Sequence, residues 1–177
     1  MKRILLFLPL FICSCIPLKT APRISDYRIT TGNEFEKGLS DRTMFLFQDP
    51  KDAGEFYDFV NTRFQLNHEN VYDDVPFLLN GDQYFFAFYE IEQEDKMLNL
   101  FPALLTMALD PDDGEYFEGD EISRNGRWYL AIEVYSDAEK DCLEINSLSR
   151  APVLEYLRSL KSEYLSTDNY DELVLEN

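Results

Sequence analysis

The chain has 177 residues, of which 45% are hydrophobic and 15% aromatic, and it carries 34 Asp and Glu against 16 Lys and Arg for a net charge of −18. That length and aromatic content suit one domain with a real hydrophobic core and exclude a largely disordered chain. The sign of the charge excludes nucleic acid as a partner, because phosphate backbones are bound by basic surfaces.

At the N-terminus, Lys2 and Arg3 precede an apolar run from Ile4 to Ile12. The run is too short for a hydrocarbon core of ~30 Å, which takes ~20 helical residues. It fits the apolar region of a signal peptide, with Lys2 and Arg3 as its charged start. In Ile12-Cys13-Ser14-Cys15 an aliphatic residue stands at −3, a small one at −1 and a cysteine at +1. This segment resembles the lipobox of bacterial lipoproteins, and in general make-up the chain is similar to envelope lipoproteins of the Bacteroidetes.

The resemblance implies a signal peptide over residues 1–14 and a mature chain beginning at Cys15. It implies lipidation of Cys15, palmitate included, and attachment to a membrane of the cell envelope. Ile16 stands where Asp would imply inner-membrane retention, so the outer membrane is implied. No acidic run follows Cys15, which implies a periplasm-facing body. Loss of Lys2 and Arg3 would take the side-chain charge to −20. Cys13 would leave with the signal peptide and Cys15 would carry lipid, so Cys142 would have no partner for an intramolecular disulfide. Asp137, Glu139 and Asp141 disfavour its thiolate, which points to a buried structural cysteine.

Residues 15–31, with Pro17 and Pro22, read as a tether, and 32–177 as a single acidic α+β domain. Thr43 to Gln48 reads as a strand. Asp49-Pro50 then looks like a helix start, with Asp49 as N-cap and Pro50 in the first turn. Ala53, Phe56, Val60 and Phe64 continue at helical spacing to about residue 65. Val75 to Leu79, Asn80-Gly81 and Gln83 to Glu92 form a hairpin signal. Both faces of Tyr84 to Tyr89 are apolar, as in a central strand. Gln93 to Lys96 reads as a turn into Met97 to Phe101. Pro102 to Leu109 suits either a strand or a helical turn.

Arg124-Asn125-Gly126-Arg127 reads as a second hairpin turn into a strand from Trp128 to Tyr135. On that strand Trp128, Leu130, Ile132 and Val134 share one face, and Tyr129, Ala131, Glu133 and Tyr135 the other. Leu143 to Ile145 suits a short strand. A helix is expected from about 150 to 165, with Val153, Leu157, Leu160 and Tyr164 as its stripe and Pro152 in its first turn. Asp168 to Leu175 suits a short terminal helix. Together these predict an α+β fold: a twisted antiparallel sheet of about five or six strands packed with two amphipathic helices.

Chemistry-bearing residues are few. The loop Asp110 to Glu121 is densely acidic, and Asp110, Asp112, Asp113 and Glu121 are the residues that would ligate Ca²⁺ if a cation were held. The EF-hand pattern fails there, since Gly114 falls one position early, and a solvated acidic loop is the expectation. His68 is the only histidine, which excludes a His-pair site, and its polar neighbours read as a loop. No phosphate-binding, dinucleotide-binding or serine-hydrolase motif is present. Tyr129, Glu133 and Tyr135 would line a shallow aromatic groove for a ligand if their face were open; otherwise they form the polar side of the sheet.

These residues predict no enzyme and no cofactor. They predict a binding or structural protein that engages another envelope protein. One alternative is a small-ligand or hydrolytic lipoprotein with a pocket on the sheet face. Another is an inhibitor or immunity-type lipoprotein whose negative surface meets a basic partner.

Overall fold

A computed structural model describes residues 15–99 and 121–170, with side chains for 20–94 and 126–170. The described elements are strands β1 (Cys15–Lys19), β2 (Arg28–Thr31), β3 (Thr43–Asp49), β4 (Val75–Leu79), β5 (Asp82–Asn99) and β6 (Glu121–Tyr135). The helices are α1 (Gly32–Phe35), α2 (Glu55–Arg63) and α3 (Arg150–Ser166). The fold is α+β, as the alternation of strand and helix patterns predicts.

The chain divides into two compact units, Met1–Pro22 with Gln93–Arg127, and Arg23–Glu92 with Trp128–Asn177. In the first, β1 pairs antiparallel with the far end of β5, Cys15 opposite Asn99 and Pro17 opposite Met97. Here the Arg127 guanidinium donates to the Ala21 carbonyl.

In the second unit the strand order is β4-β5-β6-β3-β2. β2 runs antiparallel to β3, with Ile29 opposite Phe45, and β3 antiparallel to β6, with Phe47 opposite Leu130. Asn80 and Gly81 turn β4 into β5 with φ of 55° and 93°. Both values are left-handed, as a two-residue type I′ hairpin requires. Leu79 opposite Asp82 closes the ladder, and Phe77 pairs with Tyr84. Alternation of hydrogen-bonded pairs then turns the backbone of Pro76 outward, where its missing N–H blunts the strand's free edge.

The core lies on the Leu130-Ile132-Val134 face of β6. Phe45 and Phe47 of β3, Phe86 and Phe88 of β5, and Phe56, Phe59 and Val60 of α2 meet the stripe of α3 there. All four expected stripe residues of α3, Val153, Leu157, Leu160 and Tyr164, are buried.

Several expectations are corrected. Residues 15–31, read as a tether, contain β1 and β2. Two prolines masked Tyr27, which stacks on Phe45 at 4.8 Å, and Ile29, which packs on the core. Helix α2 begins at Glu55 rather than near Pro50; Asp49 ends β3, and Gly54, at φ 86°, is the N-cap. Asp49 is held elsewhere by Tyr164, so it does not cap. The turn expected at Gln93–Lys96 is strand, because β5 continues to Asn99 against β1. The turn expected at Arg124–Arg127 is also strand, inside β6. An Asn-Gly pair makes a hairpin only when its flanks pair with each other, and β6 pairs with β5 and β3 instead. Leu143 to Ile145 is turn, not strand. Residues 102–109 and most of the expected terminal helix lie outside the described residues.

Gly32 opens α1 at a close approach. A Cβ there would lie 2.5 Å from the Ser40 carbonyl oxygen and 2.6 Å from Met44 Cε. The Gly32 N–H donates to the Arg42 carbonyl at 3.0 Å, so this corner folds back on itself. Gly32→Ala is expected to cost about 1–3 kcal/mol, as overpacking does. A urea midpoint shared with wild type would show that the corner yields freely.

Candidate functional site

The second face of β6 is where sequence places a ligand groove. Tyr129 is fully buried there, and the Phe35 ring of α1 meets it edge-on at 5.2 Å. Ala131 is also fully buried, and Glu133 is 5% exposed. Gly32 and the turn after α1 bring Ser40 and Arg42 over Glu133. Ser40 Oγ donates to Glu133 Oε2 at 2.5 Å, and Arg42 Nη1 pairs with Oε1 at 3.1 Å. Tyr89 OH reaches Oε1 at 3.5 Å. The Arg42 guanidinium also lies 4.8 Å from the Tyr135 ring centre, while Tyr135 OH donates to Asp74. Burial, followed by the Asp74 carboxylate, pushes the Tyr135 phenol up from its usual range.

Tyr129, Glu133 and Tyr135 thus share a face, but that face is not an open groove. A carboxylate so enclosed is held by charge-assisted hydrogen bonds that fix the corner after α1. No local signal marks Ser40 and Arg42 as its partners, since they lie about ninety residues away in the chain.

A second carboxylate group sits where β3 ends. Asp49, 9% exposed, accepts the Tyr164 hydroxyl at 2.9 Å and 3.1 Å and the Lys51 N–H at 3.0 Å. Burial raises its carboxyl above the ordinary range; the Lys51 N–H and Tyr164 hydroxyl oppose this, and Glu90 adds to it. Glu90 Oε2 accepts the Gly54 N–H at 2.8 Å at the start of α2, where the helix dipole favours an anion. Glu90 Oε1 is buried without a hydrogen-bond partner. Lys51 Nζ lies 4.6 Å from the Tyr164 ring centre and donates to the Thr167 carbonyl and the Tyr170 hydroxyl. These contacts tie α2 and α3 to the sheet.

His68 lies in an exposed loop, as its neighbours predict. Its ring Nδ1 is 3.2 Å from Tyr57 OH, and its backbone N–H donates to Asn61 Oδ1 at 2.7 Å. Cys142 is fully buried, and burial, then Glu139, push its thiol up to about 11. Both disfavour the thiolate, the form that acts as a nucleophile. Cys15 lies on β1, its backbone opposite Asn99. Asp110, Asp112 and Asp113 lie outside the described residues. Glu121 opens β6, and its side chain is not among those described. Among the described residues, no group of three or more His, Cys, Asp or Glu could hold a metal ion, and no helix is long and apolar enough to cross a membrane.

The remaining built feature is the loop between β6 and α3, which sequence reads as a short strand. Cys142 N–H donates to the Val134 carbonyl at 2.9 Å, and Thr43 N–H to Asp141 Oδ2 at 2.8 Å. Arg150 Nη1 donates to the Leu143 carbonyl at 2.8 Å, and Ser147 Oγ to the Cys142 carbonyl at 3.0 Å. Ser149 Oγ meets Tyr84 OH at 3.2 Å. Cys142 and Leu143 plug the core, while Ile145 is 78% and Leu148 96% exposed. Asn146-Ser147 and Ser149, all turn-forming residues, are the signal that argues against a strand here.

Comparison with protein-family models, with curated proteins and with solved structures found no match.

Proposed function

We propose that this chain is a lipid-anchored protein of the bacterial cell envelope whose body acts by binding a protein of opposite charge, without catalysis and without a cofactor. The observation that carries this reading is the closure of the β6 face: Phe35 covers Tyr129, and Glu133 is turned into bonds with Ser40 and Arg42. A ligand or reaction at Tyr129, Glu133 and Tyr135 needs those groups presented to it. The outer surface is what the protein offers instead, and 34 acids against 16 cations set its sign. Such a surface steers a basic partner and raises the association rate. An inhibitor or immunity-type role is one form of this reading.

The lipobox-like Ile12-Cys13-Ser14-Cys15 supports attachment through Cys15 to the outer membrane, with the body in the periplasm. Anionic headgroups repel an acidic body, so the lipid carries the attachment. Two measurements test the proposal. Labelled palmitate should enter the wild-type chain and sediment with membranes, and Cys15→Ser should abolish both; an unlabelled wild type overturns the anchor. Affinity for a partner cross-linked in intact cells should fall steeply between low and moderate salt. A flat salt profile overturns the basic partner.

A further inference from the structure

We propose that the loop from Ser136 to Ser149 is the docking element, with Ile145 and Leu148 as apolar anchors that enter a basic-rimmed cleft on a partner protein. The inference rests on the protein-binding reading above and names the surface that performs it.

Three observations carry it. The first is exposure. Leu148 at 96% and Ile145 at 78% are the two most exposed large apolar side chains among the described residues, and they stand three positions apart, in two successive turns closed by Ser147 N–H to the Glu144 carbonyl and Arg150 N–H to the Ser147 carbonyl. Isolated exposed aliphatics are ordinary on a protein surface; two so fully exposed within four residues of one segment are apolar area available to a partner.

The second is rigidity. The loop is joined to β6 through Cys142, to β3 through Asp141, to β5 through Ser149 and to α3 through Arg150. Its base is sealed by Cys142 and Leu143, both fully buried. A loop already held in one shape loses little conformational freedom on binding, so its anchors' burial goes into affinity.

The third is charge. Glu144, next to Ile145 in the chain, and Asp137 are exposed, and Glu139 is half-buried; Lys140 is the one exposed cation of the segment. Acids on the segment that carries the apolar anchors are complementary to basic residues around an apolar cleft. The same acids repel an anionic lipid surface. A second copy, carrying the same charge of −18, is repelled as well.

The experiment uses the full-length chain in its own envelope. Benzoylphenylalanine is placed singly at positions 145 and 148, and at the exposed controls Asp52 and Ser159. The expected result is one protein adduct from 145 and 148 that is absent from 52 and 159, its partner basic. Purified, that partner should bind Ile145→Ser/Leu148→Ser about 30-fold more weakly, as loss of two anchors implies. The thermal midpoint of this variant should match wild type, because both side chains are exposed. Glu139→Lys/Glu144→Lys should slow association and flatten its salt dependence.

The same partner captured from 52 or 159 but not from 145 or 148 overturns the docking loop and leaves the protein-binding reading standing. No protein adduct from any of the four positions overturns both. Adducts to lipid, to a second copy of this chain or to an acidic protein from 145 and 148 overturn the stated partner, as does wild-type affinity in the double serine variant.

Discussion

Phe56→Ala is expected to lower stability by about 3–5 kcal/mol, the range for emptying a buried aromatic site. Phe56 is 1% exposed, and its ring touches four others: Phe88 at 4.8 Å, Tyr164 at 4.9 Å, Phe59 at 5.7 Å and Phe47 at 6.3 Å. Those rings come from β5, α3, α2 and β3, so one side chain joins both long helices to two strands. Edge-on packing adds about 0.5–1.5 kcal/mol per pair to the area term. Whole domains are stable by only ~5–15 kcal/mol, so the loss is a large fraction of the total. Urea unfolding with unchanged slope measures it. Leu148→Ala, a change of similar chemistry at a 96% exposed position, should stay within about 0.5 kcal/mol. A Phe56→Ala cost below about 1 kcal/mol would show that the helices hold without this ring.

The second large effect is a pH dependence centred on Asp49. Burial raises its folded pKa above the ordinary 3.8, with Glu90 adding to the rise, so the folded chain holds the proton more tightly than the unfolded chain. The contribution to stability is fully present below the unfolded value and is lost as pH rises through the folded one. Acidification from neutrality therefore strengthens the fold through this residue, the reverse of a salt-bridged carboxylate. The slope within the window is at most about 1.4 kcal/mol per pH unit, the limit for one whole proton. Asp49→Asn lacks it. The thermal midpoint of the variant minus that of wild type should be largest near neutrality and shrink toward pH 4. A difference that does not vary with pH would mean that Asp49 titrates alike in both states. The subtraction also removes the effect of the many other acids, which titrate in both proteins.

Where structure was legible in the sequence, the cause was local. The stripe of α3 repeats at the helical period, and all four of its residues are buried. Asn80-Gly81 makes its hairpin because both residues tolerate a positive φ and Leu79 and Asp82 are free to pair. Asn125-Gly126 has the same chemistry and no such freedom, since its flanks belong to one strand between two neighbours. Asp49-Pro50 looks like a helix start because the cap preference is local, whereas Tyr164, which claims Asp49, is contributed by a helix more than a hundred residues later. The same distance hid the site. Glu133 was visible as an acid interrupting an aromatic face, but Ser40, Arg42 and Phe35, which close that face, come from the other end of the chain. The exposed pair Ile145 and Leu148 was hidden by an alternation that imitates a strand.

Trp128 stands opposite Asp49 in the β3–β6 ladder, and it is the chain's only tryptophan. Its emission is therefore a label already in place beside the buried Asp49 carboxyl. A shift in emission intensity between pH 7 and pH 4, absent from Asp49→Asn, would follow one carboxyl's protonation in a molecule with 34 of them. The same signal would follow unfolding of the aromatic core, so a single optical channel serves both experiments without an added dye.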